Sequence, residues 1–250
     1  MPGLYKVEGV VLRRVRQGES DTLVTLFTSE MGKLTLVARG AGRVRSRRAP
    51  HLEPLRHIQL MAAEGRRMDT VREASTVNAF SSLREDLERM SYALCLAELV
   101  YRFTAEREPN RDILAILLKG LESLCSEANP QITLHWFELW LLRYVGYRPE
   151  LYNCVACKAR LPRGQNFLSP AEGGMLCPGC RTEDSVAVSL EALKVLRFLE
   201  RVSLAQAQRL RISEPLASEL TRITRRYIQY QLEEQLGCWQ LIDDLWPSRA

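Results

Sequence analysis

The stretch Gly32-Lys33-Leu34-Thr35-Leu36-Val37-Ala38-Arg39 sets Leu34, Leu36 and Ala38 in alternation with Lys33, Thr35 and Val37. A period of two sends the two sets to opposite faces of a β-strand, one of them into a core. Before it, Met31-Gly32 turns the chain out of a second apolar run, Thr22 to Thr28. That run is separated from Tyr5 to Val15, rich in Val and Leu, by the turn chemistry of Gln17-Gly18-Glu19-Ser20-Asp21. After an arginine-rich connection, Leu55 to Ala63 and Asp69 to Val77 flank Glu64-Gly65-Arg66-Arg67 as a last pair. Five short strands with a long connection between the third and fourth match the strand order of an OB-fold, a small Greek-key barrel; the pattern alone also fits an SH3-like barrel.

From Ser82 the period becomes helical. Ser82-Leu83-Arg84-Glu85 reads as a capping box, followed on one face by Leu83, Leu87, Met90, Leu94 and Ala97. A second helix is expected from Asn110. A third runs from the cap Asn129 and Pro130 to Gly146. Its middle, Leu134-His135-Trp136-Phe137-Glu138-Leu139-Trp140-Leu141-Leu142, is apolar on nearly all sides, so it belongs at the centre of a bundle or lines a partner groove with its tryptophans. Helices resume at Ser189 and near Ser213-Glu214-Pro215, the last running to Gly237 with Arg222, Arg225 and Arg226. The expected architecture is therefore α+β: an OB-fold barrel over residues 1–80, then an α-helical domain over 81–250.

Within the helical part, Cys154-Val155-Ala156-Cys157 and Cys177-Pro178-Gly179-Cys180 form two C-x-x-C knuckles. Their separation is that of a ribbon closing on one tetrahedral Zn2+ ion, at about residues 152–184. Four thiolates leave no open position for water or substrate, so one structural ion is expected; a redox C-x-x-C is the competing reading. Cys95, Cys125 and Cys238 lie on apolar helical stretches, where free thiols act as small buried hydrophobes, and this suits a reducing compartment. Nothing near the N-terminus resembles a signal peptide and no apolar run reaches the roughly 18 residues of a membrane span. A cytoplasmic protein is expected, with no membrane partner.

The 250 residues carry a net charge of +5 and are 46% apolar, enough for a sizeable core. Residues 1–80 hold 14 Lys plus Arg against 8 Asp plus Glu, which confines the basic character to the barrel. Lys33, Arg39, Arg43, Arg45, Arg47 and Arg48 fall between Gly32 and Ala49 with no acidic residue among them. A flexible arginine loop can follow a phosphate backbone with paired guanidinium hydrogen bonds and little regard for base identity; the bland alternative is a solvated loop. Arg14 and Arg16 in the first hairpin, and Arg66 and Arg67 in the last, occupy the loops by which OB-folds grip oligonucleotides. Aromatic stacking platforms are few, so binding should depend on salt and not on sequence.

An enzyme is not expected. His51, His57 and His135 sit in no nucleophile, acid or metal constellation. Gly32-Lys33 lacks the upstream glycine of a phosphate loop, having Phe27 there, and Leu34 stands where Ser or Thr would hold magnesium, so no nucleotide cofactor is indicated.

The run Glu8-Gly9-Val10-Val11-Leu12, then Gly18-Glu19-Ser20-Asp21, Leu26-Phe27-Thr28, Gly32-Lys33-Leu34 and Ala38-Arg39-Gly40-Ala41, resembles the opening of the bacterial recombination mediator RecO family. Phe137-Glu138, Leu141-Leu142, Gly146-Tyr147-Arg148-Pro149 and the cysteine knuckles are similar to the helical region of its zinc-containing branch. The resemblance implies DNA repair by homologous recombination without catalysis: binding of single- and double-stranded DNA, annealing of complementary strands, and loading of RecA together with RecR. It also implies docking of the acidic C-terminal tail of single-strand DNA-binding protein and a nucleoid-associated location. By position, Lys33, Arg39 and the arginines after them fall on the family's basic barrel surface. The acidic tail needs a greasy groove edged by positive charge, which Trp136, Trp140, Arg143 and Arg148 would supply; core packing explains the same tryptophans. The contrasting expectation is a zinc-ribbon interaction scaffold that meets nucleic acid only incidentally. A titration with single-stranded DNA at moderate salt separates the two.

Overall fold

A computed structural model describes residues 3–246. The chain divides into two compact units, Met1–Cys125 and Ser126–Ala250. In the first, strands β1 (Leu4–Gln17), β2 (Asp21–Thr28), β3 (Gly32–Ala38), β4 (His57–Ala63) and β5 (Thr70–Asn78) close into a barrel of order β1-β2-β3-β5-β4. Barrel closure rests on β1, which pairs with β4 through Leu4 to Val10 and with β2 from Gly9 to Gln17. Gly9 belongs to both ladders, and a Cβ there would run into the carbonyl of Phe27. A short parallel contact, Val37 with Thr70, joins β3 to β5. This is OB-fold topology, and it settles the choice between the two barrels. The β3 alternation is real: Leu34, Leu36 and Ala38 are buried and pack with Val11, Val24, Leu26, Ile58, Leu60 and Val71.

The barrel unit continues beyond residue 80. Helices α1 (Leu87–Phe103) and α2 (Arg111–Leu124) pack against each other, and both touch β1. They therefore fall in the same compact unit as the barrel. The expected capping box is absent. Ser81–Glu85 is a 3-10 turn, and α1 starts after Asp86, whose carboxylate accepts the Arg89 amide at 3.1 Å. Leu87 is consequently exposed, and the buried face runs through Tyr92, Cys95, Leu96, Leu99 and Val100. Asn110 caps α2 as expected, accepting from Ile113 at 3.2 Å.

In the second unit α3 (Pro130–Tyr144) is central, buried from Gln131 to Leu139 and packed against α4 (Leu190–Leu199), α5 (Leu204–Ala207) and α6 (Glu214–Leu232). Asn129 and Ser189 cap α3 and α4. The last helix does not reach Gly237 in one piece. It stops at Glu233, held in the left-handed region at φ 56°, and α7 (Gly237–Leu245) begins afresh. Between α3 and α4 lie three short strands, β6 (Asn166–Ser169), β7 (Gly174–Leu176) and β8 (Val186–Val188), in the order β7-β6-β8. Cys95 and Cys238 are buried, and Cys125 is a half-buried free thiol.

Candidate nucleic-acid interface and metal centre

The connection from β3 to β4 is not a loose loop. Successive hydrogen bonds tighten it into turns: Ala41 to the Ala38 carbonyl, Arg43 to Gly40 and Ser46 to Arg43, with N···O distances of 3.2, 3.3 and 3.0 Å. Two contacts tie it to the β1–β2 hairpin, the Gly42 amide on the Ser20 carbonyl at 2.7 Å and the Gly40 amide on the Asp21 carboxylate at 2.8 Å. Gly40 sits at φ 69°, a conformation that costs glycine little.

Two of the predicted arginines brace this loop. The Arg48 guanidinium donates to the carbonyls of Val71 and Arg39, each at 2.7 Å, and Arg14 donates to those of Ala41 (3.3 Å) and Ala49 (3.4 Å). Arg16 donates to the Glu19 carbonyl at 2.9 Å but stays exposed. Arg39, Arg43, Arg45 and Arg47 are exposed and make no ion pair among the described residues, and the same holds for Arg66 and Arg67 between β4 and β5. The predicted basic set therefore splits into braces and displayed cations. Replacing Arg48 by alanine should cost on the order of 1 kcal/mol and free the loop. Limited tryptic digestion is then expected to cut after residues 43–47 several-fold faster; an unchanged rate would deny Arg48 its bracing role.

Lys33 is turned to a different task from the one its sequence position suggested. Its Nζ donates to the Tyr101 carbonyl at 2.7 Å and to the Thr104 carbonyl, and lies 4.8 Å from the centre of the Tyr101 ring. A cation there satisfies carbonyls left open at the C-terminus of α1, where the helix dipole is negative. Burial lowers the Lys33 pKa, partly offset by nearby Glu106. The segment after α1 also covers the outer face of β3: Thr35 donates to Glu106 at 2.7 Å and the Arg107 amide to the Lys33 carbonyl at 2.9 Å. Gly32, at φ 64°, lets this segment approach, since any Cβ there would strike the Glu108 backbone. Arg107 is fixed in turn by Asp69, at 2.6 Å, which also accepts from the Tyr5 hydroxyl at 2.6 Å. Burial opposes ionisation of Asp69, but hydrogen bonds from Tyr5, the Gly65 amide and Arg107 outweigh it and hold its pKa below the usual range. The strand face of the barrel is thus partly roofed, and the basic surface that remains is made of loops. Nothing in local sequence signals this roof, because β3 and residues 104–108 are about seventy positions apart.

In the second unit, Cys154, Cys157, Cys177 and Cys180 bring their sulfurs within 4.8 Å of one another. Four sulfurs placed about 2.3 Å from a central ion would stand roughly 3.8 Å apart, and Cys157 and Cys177 are at 3.9 Å. The quartet therefore fits a tetrahedral ion. Strand β7 aligns the knuckles: the Val155 amide donates to the Met175 carbonyl at 2.9 Å, and Cys177 follows the strand directly. Lys158 takes φ 63°, which lets its amide close the first knuckle on the Cys154 carbonyl at 2.9 Å. Burial raises the Cys154 pKa, yet amides of Cys177, Cys157 and Ala156 aimed at its sulfur bring it down to about 6. Hydrogen bonds with the other three thiols push Cys180 up to about 12.

The four residues named for an acidic tail do not form one open groove. Trp136 is 3% exposed, and its indole N–H is spent on the Val202 carbonyl at 2.9 Å. Trp140 is half-buried, donating to Leu199 at 3.1 Å, with the exposed Arg143 guanidinium 5.2 Å above its ring. Arg148 pairs with the buried Glu200 carboxylate at 3.0 Å.

A small barrel that displays unpaired arginines, joined to a helical unit carrying a four-thiol cluster, defines a protein of the recombination and DNA-repair class once its relatives are considered. Residues 1–80 match the family described as Recombination protein O N terminal, and residues 84–240 match Recombination protein O C terminal. The chain is 40% identical over 244 residues to the DNA repair protein RecO of Roseiflexus sp. (strain RS-1), covering 97% of this chain and 86% of that protein. It is 33% identical over 247 residues to that of Desulforamulus reducens, covering 98% and 96%, and 32% identical over 245 residues to that of Dehalococcoides mccartyi (strain CBDB1), covering 98% and 97%. The chain belongs to the RecO family.

Proposed function

We propose that this chain is a non-enzymatic recombination mediator that binds single- and double-stranded DNA without sequence preference and anneals complementary strands. With RecR it helps load RecA onto DNA coated with single-strand binding protein, whose acidic C-terminal tail it engages. The observation that carries this reading is the braced, acid-free loop in which Arg39, Arg43, Arg45 and Arg47 stand exposed and, among the described residues, make no ion pair. Arginines held for solubility are usually interspersed with acids; a row without them offers paired donors to successive phosphates. The ion held by the cysteine quartet is zinc in this reading, since an all-thiolate tetrahedral set suits it, and its role is to fold the ribbon. Among the described residues no helix is long and apolar enough to cross a membrane. Work on chromosomal DNA puts the protein in the cytoplasm, at the nucleoid.

The deciding experiment is annealing of complementary oligonucleotides coated with single-strand DNA-binding protein, with and without that protein's acidic tail. Accelerated annealing that depends on the tail is expected. Absence of annealing on bare as well as coated strands would remove the mediator reading and favour the scaffold.

A further inference from the structure

The tip of the arginine loop is apolar. Val44 stands between Arg43 and Arg45 and is fully exposed, at 103% relative to an extended reference. It occupies the second position of the turn closed by the Ser46 amide on the Arg43 carbonyl at 3.0 Å. Such positions ordinarily go to Pro or small polar residues, and a β-branched apolar side chain gains nothing there in water. Single exposed apolar residues are common and most need no explanation. Val44 differs because the loop beneath it is braced by Arg14, Arg48 and the Gly42–Ser20 hydrogen bond, so the apex is held away from the barrel. The branched side chain is also stiff about χ1, which suits a fixed projection.

We propose that Val44 is a wedge that enters between neighbouring bases while Arg43, Arg45 and Arg47 hold the flanking phosphates. Apolar side chains inserted at a base step unstack it, and the apolar surface removed from water offsets part of the cost. The inference rests on the DNA-binding reading and adds to it. The arginines supply salt-dependent affinity, and the valine loosens stacking in the bound strand so that bases are free to meet a complement. A contact of this kind releases no counterion, so its loss leaves the salt dependence unchanged.

The test uses the full chain and a single-stranded oligonucleotide carrying one 2-aminopurine, whose emission rises when its neighbours unstack. Wild-type protein should raise the emission on binding. V44S should bind with the same salt slope and an affinity reduced by no more than about tenfold, the factor that corresponds to about 1.4 kcal/mol, yet lose most of the emission rise and anneal more slowly. V44F, which enlarges the wedge, should restore the rise. Position 44 touches no core, so an unchanged melting temperature certifies that the variants fold. If V44S retains the emission rise, or the wild type binds DNA without one, the wedge is overturned while DNA binding stands. If the wild type does not bind DNA at all, the underlying reading fails and the wedge fails with it.

Discussion

Cys154→Ser, or removal of the metal by a strong chelator, is expected to unfold the second unit and leave the barrel standing. Thiolate ligation in structural zinc sites contributes about 10–16 kcal/mol of apparent binding free energy, as much as the roughly 5–15 kcal/mol that holds a whole domain folded. Here the ligands sit where the loss would spread. The first knuckle hangs on β7, and β6 sends Leu168 into a small apolar cavity shared with Leu139 and Leu142 of α3, Leu196 of α4 and Ile223 and Tyr227 of α6. Loosening the ribbon therefore opens the centre of the helical unit. The readout is unusually clean, because Trp136, Trp140, Trp239 and Trp246 are the chain's four tryptophans and all follow residue 125. Tryptophan emission should shift to the red on chelation and recover on adding zinc, and acid should promote release because protons compete for the thiolates. DNA affinity should fall far less, since the barrel has its own core. Loss of DNA binding with emission unchanged would instead place the ribbon in the contact.

The parts of this architecture that were legible in the sequence are those governed by local rules. The alternation at Leu34, Leu36 and Ala38, the caps Asn110, Asn129 and Ser189, and each C-x-x-C knuckle report on neighbours within a few residues. Where two local signals compete, sequence alone does not choose between them. Ser82 and Asp86 each offer a cap four residues apart, and the chain uses the second, which leaves Leu87 exposed. The end of α6 was missed because Glu233 adopts the left-handed region itself, a place where Gly is the usual sign. The strands of the ribbon, only three or four residues each, are too short to show a period. What composition could not reveal at all is the division of labour among the basic residues. Lys33 meets α1 across some seventy positions, and Arg48 reaches Val71 from the far side of its loop. A count of positive charges treats a carbonyl clamp and a displayed guanidinium alike.

That division fixes the second large effect. Replacing Arg43, Arg45 and Arg47 together by alanine should abolish most DNA binding without unfolding the barrel, because none of the three side chains makes a hydrogen bond or ion pair among the described residues. Arg48 is left in place; its removal would confound lost contact with a collapsed loop. Each phosphate contact to a single strand contributes about 0.7 to the slope of log K against log salt, so three contacts lower the slope by about 2. At roughly 0.1 M salt the same term is worth about two decades of affinity, for any sequence. Anisotropy titrations between low and moderate salt measure both quantities at once. A parallel variant with Arg66 and Arg67 replaced asks whether the β4–β5 loop shares the strand, and a comparable drop in slope would extend the path of the DNA from one loop to the other. If the triple variant keeps both affinity and slope, the loop is a solvated surface after all, and the basic charge of the barrel must act elsewhere.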